Sequence, residues 1–218
     1  MREFVIHYKQ SNKYKMGWKA SMIIINPRVE VDMEKLLHDL GFKKLKKIND
    51  QPLDDAIYPN DDEVYIGIYE DNLLICASDL PMMFFDEHIN EIEKIFLNRF
   101  PDSEVCSIVL QSTVNLWGYS ILKNGNKFRT RAGSADDGTF IDVGEPLEQE
   151  KALFAKSTVD TRGNRMYKFE DLPGELLTED QVGENFVFEI CGRYFGESLD
   201  SADELLFDTV MTGYKFQK

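Results

Sequence analysis

The chain has 218 residues, 43% apolar and 29% charged, which fits one ordinary globular domain and excludes a disordered chain, a collagen-like fibre and a disulfide-dense mini-protein. Lys and Arg number 25 against 39 Asp and Glu, a formal charge of −14. The imbalance is uneven, because residues 1–47 hold 11 basic and 5 acidic side chains and the rest of the chain carries a local −20.

A body that acidic repels phosphate backbones and anionic lipid, so neither nucleic acid nor a membrane surface is an expected partner. No run approaches the roughly 18 apolar residues of a membrane span. Residues 1–10 have no apolar stretch of the secretory-signal kind. Cys76, Cys106 and Cys191 are odd in number and each sits in an apolar run, the pattern of buried free thiols in a reducing, cytoplasmic setting.

The first strong element is a strand at 18–25, closed by Asn26 and Pro27. Asp32 then caps a short helix whose apolar stripe is Met33, Leu36, Leu37 and Leu40, with Gly41 as its stop. The basic cluster Lys43, Lys44, Lys46 and Lys47 reads as a solvated face near a turn rather than an anion site. Residues 49–62, with two prolines among many Asp and Asn, read as a long surface loop. Val64–Tyr69 and Leu73–Ala77 form a hairpin about Asp71 and Asn72. A second helix follows Pro81, capped by Asp86, with Ile89, Ile92, Phe96 and Phe100 along one face and Pro101 closing it.

Strands at 105–110 and 114–122 come next. Asn124-Gly125 predicts a two-residue type I′ turn that pairs 114–123 with 126–133. In that register Ile121, Tyr119 and Trp117 oppose Phe128, Thr130 and Ala132 on one apolar face. Ser120 and Gly118 oppose Arg129 and Arg131 on the other. After the Asp136-Asp137-Gly138 turn come a strand at 139–143, a helix over about 147–156, a loop at 157–165 and a short strand at 166–169. Thr178 and Gln181 form a capping box for a helix with the stripe Val182, Phe186, Ile190 and Tyr194, stopped by Gly196. The segment 207–216 is a closing strand. The whole predicts an α+β fold, a mostly antiparallel sheet of hairpins with three to four helices packed on it.

Nucleotide-binding glycine loops, a nucleophile elbow and a zinc-protease motif are absent, so no catalytic residue, metal site or cofactor is assigned. His88 and Glu91 could begin a metal site but read better as an ordinary surface pair. The candidate ligand site is Arg129 and Arg131, a fork for a carboxylate or phosphate with Gly118 leaving room, together with Trp117, Asp136 and Asp137. The competing reading, which we favour, pairs those arginines with Asp136, Asp137 or Asp142.

Met16-Gly17-Trp18-Lys19, Trp117-Gly118-Tyr119, Asp136-Asp137-Gly138, the run Asp142-x-Gly144-Glu-Pro-Leu147 and the helix ending in Phe195-Gly196 together resemble an uncharacterised bacterial family. The resemblance spans about residues 16–197 and implies a cytoplasmic protein of unknown function. Its members tend to begin at the Met-Gly, which sets residues 1–15 apart as an extension, or Met16 as the true start, before a single α+β domain at 16–218. The expected function is a non-enzymatic interaction module, immunity- or antitoxin-like, docking a basic protein through its acidic surface. The alternative is an enzyme or receptor for a small anionic ligand at Arg129 and Arg131. Oligomeric state is left open.

Overall fold

The computed structural model describes residues 17–161, 163–170 and 172–217; the extension proposed for residues 1–15 lies outside them. The elements in chain order are β1 (Lys19–Asn26), α1 (Met33–Asp39), β2 (Lys43–Lys47), β3 (Gln51–Pro52), α2 (Leu53–Ala56), β4 (Glu63–Tyr69) and β5 (Asn72–Ala77). Then come α3 (Glu91–Arg99), β6 (Glu104–Gln111), β7 (Leu116–Lys123), β8 (Asn126–Ser134), β9 (Gly138–Val143) and α4 (Glu148–Phe154). The chain continues through β10 (Ser157–Val159), β11 (Arg165–Tyr167), β12 (Leu177–Thr178), α5 (Glu179–Phe195), α6 (Asp203–Asp208) and β13 (Val210–Gln217).

The fold is α+β. Its main sheet runs β2-β13-β4-β5-β1-β6-β7-β8-β9, with β3 beside β13; β10, β11 and β12 make a small second sheet. Every neighbouring pair in both is antiparallel. Helices cover both faces, so the strands at the centre are apolar on both sides. In β1, Met22 and Ile24 enter one core with α2, α5 and α6, while Ile23 and Ile25 enter the other with α1 and α3. The strand after α6 does not close an edge, since β13 is inserted between β2 and β4. The edge belongs to β2, whose four lysines deter pairing with another chain.

Local signals set most boundaries. Asp32 accepts the Lys35 N–H at the start of α1, and α1 and α5 give way to Gly41 and Gly196 at positive φ. Gln181 accepts the Thr178 N–H at 2.9 Å as the capping box requires. Asn124 and Gly125 both have positive φ, as a type I′ turn demands.

Four expectations are corrected. The surface loop at 49–62 contains β3 and α2, because Leu53, Ala56 and Ile57 are buried in the core despite their acidic neighbours. The β4–β5 turn is Glu70-Asp71, since Asn72 is a buried strand residue whose side chain bonds the Tyr194 carbonyl and Asn26. Helix α3 starts at Asn90 rather than Asp86: Asn90 and Glu93 satisfy each other's backbone N–H groups, while Pro81–Phe84 form a separate 3₁₀ turn. Residues 157–159, read as loop, pair with β11.

Candidate functional site

Lys127, Arg129 and Arg131 alternate along β8, and an unbroken strand would point all three to one face. Pairing with β7 prevents this. Leu122 opposes Lys127 but Ile121 opposes Arg129, so Phe128 is an extra residue in a β-bulge. Beyond it Tyr119 opposes Arg131 and Trp117 opposes Gly133, replacing the expected register. The one-residue slip turns both arginines from the face of Ser120 and Gly118 to that of Trp117, Tyr119 and Ile121. Gly118 therefore makes no room for a ligand; it faces Ala132, and a Cβ there would meet Ala132 and the Phe85 ring.

Each basic side chain of β8 holds a first-turn glutamate of a different helix. Lys127 Nζ lies 2.5 Å from Glu93 of α3 and donates to the Phe84 carbonyl at 2.7 Å. Arg129 donates to the Glu150 carboxylate of α4 through Nε and Nη2, at 2.9 and 2.6 Å. Its Nη1 donates to Asp142 and to the carbonyls of Val143 and Gly144. Arg131 donates to Asp142 through Nε and to Glu179, the first residue of α5, through Nη2. Glu179 also accepts from Thr139 and Tyr167, and Glu150 accepts the Leu147 N–H at 2.7 Å. A carboxylate in the first turn suits the positive end of a helix, so each pair also fixes where its helix begins. Gly144 is required here: its φ is +87°, and a Cβ would fall 2.3 Å from the Phe128 carbonyl of the bulge.

Arg129, Arg131 and Trp117 of the expected ligand site thus come together, but as part of the core. Burial opposes the charge of both guanidiniums, and their acidic and phenolic neighbours outweigh it, so both are held firmly protonated. The Arg131 guanidinium lies among the rings of Phe186, Phe154 and Trp117, at 4.7, 4.9 and 5.1 Å from their centroids. Trp117 can lie against α5 because residue 183 is glycine; a Cβ there would fall 2.0 Å from the indole. Asp136 and Asp137 do not join this group. They are exposed in the β8–β9 turn, where Asp137 bonds Ser134. Of the three acids proposed as structural partners, Asp142 fills that role. Glu150 and Glu179 were missed, although Glu150 stands three residues after the start of a helix, where a capping glutamate is expected.

Elsewhere, His88 precedes α3 in an exposed stretch, and its N–H donates to Asp86. Among the described residues no three His, Cys, Asp or Glu side chains are grouped to hold a metal ion. All three cysteines are buried and unpaired, and burial pushes the Cys106 thiol up to about 12 and the other two up as well. Such thiols are poor nucleophiles and act as packing groups. No described helix is long and apolar enough to cross a membrane.

Two concavities adjoin the arginine cluster. A cleft of about 550 Å³ opens between β9 and the small sheet, lined in part by Arg131, Asp142, Val159, Arg165, Glu179 and Asp180. A groove of about 610 Å³ runs between α4 and the end of α5, where Glu148, Gln149, Glu189 and Glu197 stand over Gly192 and Gly196. Burial and nearby Asp200 push the Glu189 carboxyl up, with Lys156 opposing in part.

Residues 32–197 match the sequence model of DUF6928, a family of unknown function. The expected kinship to a family of unknown function is shown by that match; within it, Trp117 and residues 142–144 lie against the β8 arginines. No curated protein and no solved structure matches the chain.

Proposed function

The chain belongs to DUF6928, and from its own geometry we propose that it is a non-enzymatic interaction module that docks a basic protein segment in the groove between α4 and α5. The observation that carries this reading is that the acids lining the groove outnumber its lysine, Lys151, which Glu148 already holds at 2.6 Å. Glu189 and Glu197 have no ion-pair partner among the described residues, and the buried Gln149 Oε1 accepts no hydrogen bond. A carboxylate whose proton affinity is raised by burial gains from an arriving Lys or Arg, which supplies the missing countercharge. Gly192 and Gly196 leave the floor without side chains, so a long basic side chain can reach the backbone. The −14 net charge would steer such a partner toward the protein at long range. Buried free thiols support a reducing, cytoplasmic location, and the family resemblance supports a bacterial one.

The arginine cluster supports the anionic-receptor alternative less well. Arg129 is 1% exposed and its guanidinium is occupied by two carboxylates and two carbonyls. The test is native mass spectrometry of the protein purified gently from its own host, repeated with the double variant Glu189→Gln/Glu197→Gln. We expect a basic companion that dissociates as salt rises and is lost from the variant. A companion indifferent to salt, or retained in full by the variant, overturns the reading.

A further inference from the structure

The 550 Å³ cleft beside β9 is within the size range of small-molecule sites, and its lining is not neutral. Arg131 forms part of it. That residue is 2% exposed, its Nε and Nη2 are bonded to Asp142 and Glu179, and its Nη1 has no acceptor. A buried guanidinium with an unsatisfied N–H is costly, and Arg131 is part of the cleft wall, so a carboxylate seated in the cleft lies beside a guanidinium whose hydrogen bonds are incomplete. Arg165, across the cleft on β11, adds a second guanidinium, bonded to Ser157 through Nη1 and 3.9 Å from Glu179 through Nε.

Carboxylates decide what kind of acceptor fits. Asp142, 49% exposed, Glu179 and Asp180 share the same lining. A phosphate would bring a second negative charge beside these three acids, whereas a single carboxylate can sit against Arg131 and Arg165 if its molecule also offers a cation to Asp142 or Asp180. Val159 and Met166 supply a modest apolar wall for a short side chain. We propose that this cleft is a binding site for a small zwitterion of the free amino acid class, its carboxylate on Arg131 and Arg165 and its ammonium toward Asp142 and Asp180. The site goes beyond the docking groove and does not depend on it.

The experiment is saturation-transfer NMR and calorimetric titration of the full chain. The probes are the twenty free L-amino acids, with acetate, methylammonium and inorganic phosphate as partial ligands at matched ionic strength. At least one amino acid should bind saturably, about ten-fold or more tightly than acetate or methylammonium, since two charge contacts replace one. Val159, 57% exposed at the rim, can be enlarged without touching the ion pairs. Val159→Trp should weaken binding by about ten-fold with unchanged circular dichroism, and Arg165→Gln should weaken it in the same direction. The proposal is overturned if none of the twenty binds at millimolar concentration, if phosphate binds as well as the best of them, or if Val159→Trp leaves binding unchanged.

Discussion

The two faces of β8 solve one problem in different ways. Under α3, a single lysine meets a single glutamate: Lys127 is 5% exposed, and among the described residues its Nζ meets Glu93 and the Phe84 carbonyl. Under α4 and α5, two arginines share Asp142 and divide Glu150 and Glu179 between them, with two carbonyls and three aromatic rings completing the shell. The lysine site has a fallback, because burial holds the Glu93 carboxyl above its ordinary range even with Lys127 and Asn90 working against that, so it can neutralise itself by taking a proton. The arginine site has none of its own on the basic side, since a guanidinium does not deprotonate in proteins. A buried point charge is a local pin, whereas the planar forks tie β8, β9, α4 and α5 into one unit.

The largest expected effect comes from breaking the facing that the bulge sets. Deleting Thr130 makes Arg129 and Arg131 neighbours, so only one of them can face α4 and α5; the other turns toward α3 and leaves Glu150 or Glu179 without its partner. A misplaced guanidinium and an orphaned carboxylate, at ~3–5 kcal/mol each, approach the ~5–15 kcal/mol by which a domain of this kind is held folded. The variant should therefore lose most of its cooperative thermal unfolding and its native near-ultraviolet circular dichroism. If it unfolds cooperatively near the wild-type temperature, the facing that the bulge sets is incidental and the comparison fails.

That bulge is also where the sequence was least legible. Lys-Phe-Arg-Thr-Arg reads as perfect alternation, and nothing local marks Phe128 as extra; the slip is set by Gly144 approaching its carbonyl and by the acids waiting on α4 and α5, all distant in sequence. Signals contained within a few residues were readable, among them the Asp32 cap, the Asn124-Gly125 turn, the Thr178–Gln181 box and the two-sided apolar strand β1. Signals that rest on tertiary burial were not. Leu53 and Ala56 look like loop residues because Pro52, Asp54 and Asp55 surround them, and only the contact with α6 and the core makes α2 a helix. Likewise the choice of Arg129 and Arg131 located a chemically unusual place, but the neighbours that define it, Glu150, Glu179 and Tyr167, lie up to 48 residues away.

A smaller effect separates the two faces directly. Arg129→Met leaves Glu150 buried without its partner and should cost ~3–5 kcal/mol, lowering the unfolding temperature by roughly 10 °C. Adding Glu150→Leu should recover much of that loss, because no uncompensated charge remains. Lys127→Met should cost less, ~2–3 kcal/mol at neutral pH, as Glu93 takes a proton. The sign follows from the raised Glu93 carboxyl: a group easier to protonate in the folded state keeps its stability below its unfolded pKa and loses it as pH rises. The gap between Lys127→Met and wild type should therefore widen from pH 4 to pH 7 in urea unfolding. Equal costs for the two substitutions at every pH would mean that the lysine and arginine sites are not different devices.

The smallest effect belongs to the same motif moved toward water. Glu104, at the start of β6, accepts both Nε and Nη2 of Arg193 at 2.7 Å and Lys123 Nζ at 2.7 Å, tying β6 and β7 to the last turn of α5. Burial alone would raise its carboxyl, but Arg193 and Lys123 outweigh it and hold the group at about 2. Because the folded value lies below the unfolded one of about 4.3, the stabilisation is present above that pH and is lost as pH falls toward 2. Arg193 and Lys123 are 29% and 38% exposed, so solvent screening reduces what the shift alone implies to ~1–2 kcal/mol. Glu104→Gln should unfold in less urea than wild type at pH 7, and the difference should shrink steadily between pH 5 and pH 3. A difference independent of pH would assign the loss to packing and remove Glu104 from the comparison with the charged pairs of β8.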